Sequence, residues 1–186
     1  MATPTTLPAT FVAGNVLTAA QMNDLRGAFR IVRVSSVAKT DTFSASVAAG
    51  ASTDITGLSI THTVQESTNQ VLLIAQLGTV ASTGGFANCG IAFYDGTSLL
   101  NIGAAASNRT RVSAGGNVGG SSVANSAFPF VAFLHTPGAG AKTYTVRAIN
   151  IDSSTRTLYV NRSEDDSDFA YRQRAASTFI LLEVSA

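Results

Sequence analysis

From Thr42 onward, short runs rich in Val, Ile, Thr and aromatic residues are interrupted every few residues by clusters of Gly, Pro, Asn and Asp. Parallel βαβ units need roughly 10–15 helical residues between strands, and this spacing leaves no room for them. It predicts a mainly β chain folded as an antiparallel sandwich or barrel. One strand is plain from its alternation. Leu58, Ile60, His62 and Val64 are separated by Ser59, Thr61 and Thr63, which buries one face and sets His62 on the apolar side. With no second ligand at metal spacing nearby, His62 reads as a half-buried histidine satisfied by a neighbour.

Other strands follow the same punctuation. Phe29–Val37 precedes a Lys39-Thr40-Asp41 turn, and Thr42–Val47 comes next. Gln70–Val80 is the most apolar run of the chain, and Phe86–Tyr94 leads through Asp95-Gly96, a type I′ hairpin signal, into Ser98–Ile102. Residues 103–126 are Gly, Ala, Ser and Asn with few large side chains, which predicts a long surface loop with one short strand near Arg109–Val112. Ala127–His135 places Phe128, Phe130, Ala132 and Leu134 on one face and Pro129, Val131 and Phe133 on the other, with Pro129 favouring an edge or a bulge. Lys142–Ile151 and Arg156–Asn161 continue as a meander, and Ser177–Val184 closes the chain. The count is about nine to eleven strands.

Three of these runs, 70–77, 127–134 and 179–182, are apolar on both faces. An antiparallel sandwich normally leaves one face of each sheet to water, and no helical layer is available to cover a second. Burial between subunits is worth about 25 cal/mol per Å², so the pattern predicts a homo-oligomer.

The one well-signalled helix spans Phe11–Gly27, after a Pro- and Thr-rich arm over residues 1–10. Thr18 suits the N-cap, Gln21 completes a capping box, Leu17 and Met22 form a hydrophobic staple, and Gly27 stops the helix. At about two turns it needs packing to persist. Leu17, Met22 and Leu25 therefore read as an attachment or inter-subunit surface, joined by Phe128 and Phe130. The division expected is 1–28 as arm and attachment helix and 29–186 as the β-sandwich domain.

Charged residues make up 12% of the chain, about half the share in an ordinary domain, so Ser, Thr, Ala, Gly and Asn must form most of the surface. A net charge of +1 with scattered Lys and Arg gives no footprint for nucleic acid. No apolar run reaches the roughly 18 residues of a membrane span, and the N-terminus lacks a signal peptide, so synthesis in the cytoplasm without membrane insertion is expected. The single cysteine, Cys89, sits in an apolar strand as a small core residue.

Chemistry is scarce. The acidic turn Glu164, Asp165, Asp166 and Asp168 lacks the glycine and distal glutamate of a calcium loop and is flanked by Arg162, Arg172 and Arg174, so it reads as a solvated turn. No carboxylates can be paired across a cleft, no G-x-S-x-G or phosphate loop is present, and no metal, cofactor or catalytic residue is expected. The glycosylation patterns at Asn108 and Asn161 read as accidental.

Two stretches carry a resemblance. Phe11, Gly14, Leu17, Thr18, Ala19 and Ala20 form an F-x-x-G-x-x-L-T-A-A pattern, and Pro137–Gly140, Thr143–Thr145 and Glu183 form a P-G-A-G turn, a T-Y-T strand and a final strand ending in Glu. Together they resemble virion structural proteins of tailed bacteriophages. The resemblance implies an N-terminal attachment segment and a jelly-roll-like domain, commonly trimeric, on the outside of the particle. The short chain has no shaft repeat, which favours a capsid decoration, cement or head-spike protein over a short tail appendage. The other reading is a receptor- or host-glycan-binding tail fibre module, in which loop 103–126 with Tyr159, Phe169 and Tyr171 would stack against sugar.

Overall fold

The structure, a computed structural model, describes residues 31–84, 88–116 and 125–185 together with Val16, Thr18 and Ala19. Twelve strands are present among them: β1 (Ile31–Lys39), β2 (Phe43–Val47), β3 (Ser52–Val64), β4 (Gln70–Gln76), β5 (Val80–Ser82), β6 (Cys89–Tyr94), β7 (Leu99–Leu100), β8 (Ala114–Gly116), β9 (Phe130–His135), β10 (Gly140–Asn150), β11 (Arg156–Val160) and β12 (Ser177–Val184). Sheet I has the order β1-β12-β4-β9, sheet II the order β3-β10-β6-β7 with β8 also on β6, and sheet III the order β2-β11-β5. Every pairing is antiparallel.

Sheets I and II pack face to face as a β-sandwich. From β1 the main strands step between them, β3 in sheet II, β4 in sheet I, β6 and β7 in sheet II, β9 in sheet I, β10 in sheet II and β12 in sheet I. That is a jelly-roll path. The inward residues of both sheets meet as one core, with Leu73, Phe179 and Leu181 from sheet I against Leu58, Phe93 and Val146 from sheet II, and the Phe93 and Phe179 rings stack at 5.5 Å.

Several local expectations are corrected. Gln70–Val80 is two strands in different sheets, because the chain breaks at Leu77-Gly78-Thr79. A Cβ on Gly78 would lie 2.5 Å from the Cβ of Ala175 and 2.6 Å from the carbonyl oxygen of Ala176, so the close approach of that segment depends on glycine. The meander over 127–161 is absent, since β9, β10 and β11 lie in three different sheets. The short strand falls at Ala114–Gly116 rather than 109–112, because Val112 is used to cover Gly90 while Gly115 pairs against it.

The 93–100 hairpin exists, but it closes with four residues, Asp95–Ser98, between Tyr94 and Leu99. Asp95 caps that turn by accepting from the backbone N–H of Thr97 and of Ser98, both at 2.8 Å, which replaces the type I′ geometry. Phe169–Arg174 is a turn, with Arg172 N–H donating to the Phe169 carbonyl.

Ala19 is helical, but most of the helix expected over 11–27, including Leu17, Met22 and Leu25, lies outside the described residues.

A hub at one end of the sandwich rests on Asn161, buried and at φ 64°. Its amide donates to the carbonyls of Lys39 and Asp41 at 2.8 and 3.0 Å, and its side-chain oxygen accepts from Ser177 at 2.6 Å. Its own N–H donates to Thr79. One residue thus ties together β1, the break after β4, β11 and the start of β12.

Candidate interaction face

Three strands of sheet I alternate along their length, and β1 joins them from Val34 onward, after a register shift between Ile31 and Arg33. On β12, Ser177, Phe179, Leu181 and Glu183 are buried, while Thr178, Ile180, Leu182 and Val184 point away from the core. On β4, Val71, Leu73 and Ala75 are buried, and Leu72 and Ile74 lie between them on the outside. On β9, Val131 is buried and Phe133 packs on the core, which turns Phe130, Ala132 and Leu134 outward. Pro129 sits just before this strand, which among the described residues pairs only with β4 and is a sheet edge, as expected of it.

The register then brings the outward residues into rows across all four strands. Val34, Leu182, Leu72 and Leu134 form one row. Ser36, Ile180, Ile74 and Ala132 form the next, and Ala38, Thr178, Gln76 and Phe130 the third. None of these residues is charged. The three runs read as apolar on both faces are therefore neighbours in one sheet, and their second faces merge into one surface.

Exposure is greatest at the two margins. On the β1 side Ile31 is 56% exposed, Val32 44% and Val34 56%; on the β9 side Phe128 is 63% exposed, Phe130 59% and Leu134 48%. Phe130 lies on the outward face with Ala132 and Leu134, and Phe128, just before the strand, is exposed beside it. The β1 margin escaped the sequence reading, although the V-x-V spacing of Val32 and Val34 was the available signal.

Behind this face, Glu183 is the one charged inward residue of β12. Its Oε1 accepts from Asn69 Nδ2 at 2.6 Å and from the backbone N–H of Gln65 at 2.8 Å, and its Oε2 lies 2.8 Å from His62 Nε2. Burial alone would push this carboxyl up, but the bonds from Asn69, Gln65 and His62 outweigh it and hold the group below its ordinary 4.5. An ionised carboxylate only accepts, so Nε2 of His62 carries the proton. Both side chains are fully buried. His62 is thus satisfied by a neighbour, as its position suggested, but more deeply buried than expected. The pair clasps sheet I to sheet II.

An aromatic contact lies beside the β9 margin. The His135 and Tyr144 rings meet edge-on at 5.6 Å, with His135 Nε2 and the Tyr144 hydroxyl unpartnered among the described residues. Burial lowers the His135 pKa, with Lys142 adding to the effect, and pushes the Tyr144 hydroxyl up to about 12.

The remaining candidates dissolve into structure. In the acidic turn Arg172 pairs with Asp165 at 2.9 Å, while Arg174 and Arg162 both pair with Asp166. Asp165 and Asp166 are thus paired within the chain, and among the described residues no group of three or more His, Cys, Asp or Glu is placed to hold a metal ion. Asn161 is buried with its amide committed to two carbonyls, so it offers no glycosylation acceptor in the folded protein. Burial pushes the Cys89 thiol up to about 12. Among the described residues no helix is long and apolar enough to cross a membrane.

Of the three aromatics expected to stack on sugar, Phe169 and Tyr171 come together with centroids 5.4 Å apart, and both are exposed. Tyr159 is placed otherwise, beneath the Arg162 guanidinium at 4.7 Å. The described part of loop 103–126 is largely exposed up to β8.

Comparison with protein-family models gave no match, and comparison with curated proteins gave none.

Proposed function

We propose that the protein is a non-enzymatic structural component of a tailed-bacteriophage virion, an oligomeric β-sandwich attached to the particle surface as a capsid decoration, cement or head-spike protein or as a short tail appendage. The observation that carries this reading is the uncharged apolar face of sheet I. A catalytic site needs converging polar groups in a concave pocket, whereas a broad apolar face is suited to assembly. The resemblance in residues 11–20 and 137–145 supplies the particle context and a trimer as the expected order, with the segment around Leu17, Met22 and Leu25 as the attachment element.

The test is co-sedimentation of purified protein with particles stripped of it, combined with labelled imaging of where it sits. Sedimentation with stripped particles and a discrete position on capsid or tail support the reading. A protein that neither binds stripped particles nor occurs on mature ones overturns it.

One observation favours a receptor- or glycan-binding tail fibre module as the second reading: the exposed, mutually stacked Phe169 and Tyr171. Aromatic faces of this kind suit a sugar ring. Binding of the isolated protein to host cells, lost in a Phe169→Ala, Tyr171→Ala double variant, would support it.

A further inference from the structure

We infer that the outer face of sheet I is the seam between copies of this chain, with the β9 margin of one copy lying on the β1 margin of the next. This rests on the assembly reading above and specifies its partner.

Four observations point to a second copy rather than to another protein. First, the three aligned rows contain no charged side chain, so the partner surface must itself be free of charge across four strands. The same face on another copy meets this requirement. Second, interfaces between permanently associated copies resemble a domain core cut in half, depleted of charge and rich in apolar side chains, and these rows are uncharged and mostly aliphatic.

Third, the two margins differ in a complementary way. Ile31, Val32 and Val34 are branched aliphatic side chains on one edge, and Phe128 and Phe130 are flat rings on the other. A like-on-like contact would set rings against rings and leave the aliphatic edge wet; a margin-to-margin contact covers both. Fourth, six large apolar side chains about half exposed present on the order of 600 Å², of the same order as the roughly 800 Å² per partner of a stable interface.

The test uses the full chain with Cys89→Ala, so that introduced thiols are the only ones. Val34→Cys and Phe130→Cys chains are co-expressed and oxidised mildly. The expected main product is a covalent two-chain species from the mixture and none from either variant alone. The control pair Thr61→Cys and Thr143→Cys, on the outer face of sheet II, should stay single. A mixture no more cross-linked than that control overturns the inference, as does equal cross-linking of Val34→Cys alone.

Leu134→Glu gives an independent reading, with circular dichroism confirming the fold. It should reduce the assembly to single chains, and retention of the wild-type mass overturns the inference. The two proposals fail separately. An assembly that cross-links as described but ignores stripped particles keeps the seam and loses the particle role. A single-chain protein that binds particles, and loses that binding in Leu134→Glu, makes the face a dock for a particle protein and overturns the seam.

Discussion

The outer faces of sheets I and II occupy equivalent places in one sandwich, yet they are built from opposite materials. On sheet II, Ser59 pairs with Thr145 at 3.1 Å and Thr61 with Thr143 at 2.9 Å through their hydroxyls. Nearby, Arg147 lies 3.5 Å over the Tyr94 ring and pairs with Asp54 at 2.5 Å. That face satisfies itself and tolerates water. On sheet I the corresponding positions are Val, Leu, Ile, Ala and Phe, with Ser36, Thr178 and Gln76 as the uncharged polar residues. The backbone alternation is the same in both, so the fold does not decide which face is wet. Residue choice does, and on the proposed seam it makes sheet I the side that a second copy covers.

The sharpest way to probe this contrast begins on the inner side of β12, where a carboxylate stands one residue from the apolar outer rows. Glu183→Ala should cost about 3–5 kcal/mol, because it strips the partner from buried His62 and Asn69. Denaturant titration measures it. The Glu183 carboxyl is held below its ordinary 4.5 in the folded state. Its contribution is therefore complete above that value and is lost as pH falls through the depressed folded pKa. The wild-type midpoint should drop across that acidic range, and Glu183→Gln should flatten the dependence.

Next in size is the contrast between the two sides of sheet I. Leu73→Ala, in the core, should cost about 2–5 kcal/mol in the same titration. Leu134→Ala, on the exposed margin, should change the stability of a single chain by no more than about 0.5 kcal/mol while weakening association. If both variants lost stability equally without touching assembly, the two sides would not differ in kind.

Smaller still, Thr61→Ala on sheet II should cost about 0.2–1 kcal/mol, the worth of one cross-strand pair, and leave assembly unchanged by light scattering. The smallest effect belongs to Cys89. Its thiol is buried and pushed up to about 12, so mass spectrometry should detect no alkylation of the native protein at mildly alkaline pH and full alkylation after denaturation.

The sequence carried the sandwich because period-two alternation is a local signal, and it carried the doubly apolar character of 70–77, 127–134 and 179–182 for the same reason. It did not carry which strands pair. That is why a meander was expected where β9, β10 and β11 lie in three sheets. Gly78 broke an apparent single strand through its contact with Ala175 and Ala176, nearly a hundred residues away, and no local pattern reports such a contact.

At the candidate face, the shared side of Phe130, Ala132 and Leu134 was legible from alternation. Ile31, Val32 and Val34 became part of the face only once β1 was seen beside β12. Glu183 stood in the sequence as part of a closing-strand pattern. Its pairing with His62 spans 121 positions and is visible only after folding.

Burial of the outer face of sheet I between copies is open to sedimentation velocity of the wild-type full chain over a dilution series. A single species at a fixed multiple of the chain mass, persisting on dilution to low micromolar concentration, is the expected result. A protein that sediments as one chain throughout that range would contradict it.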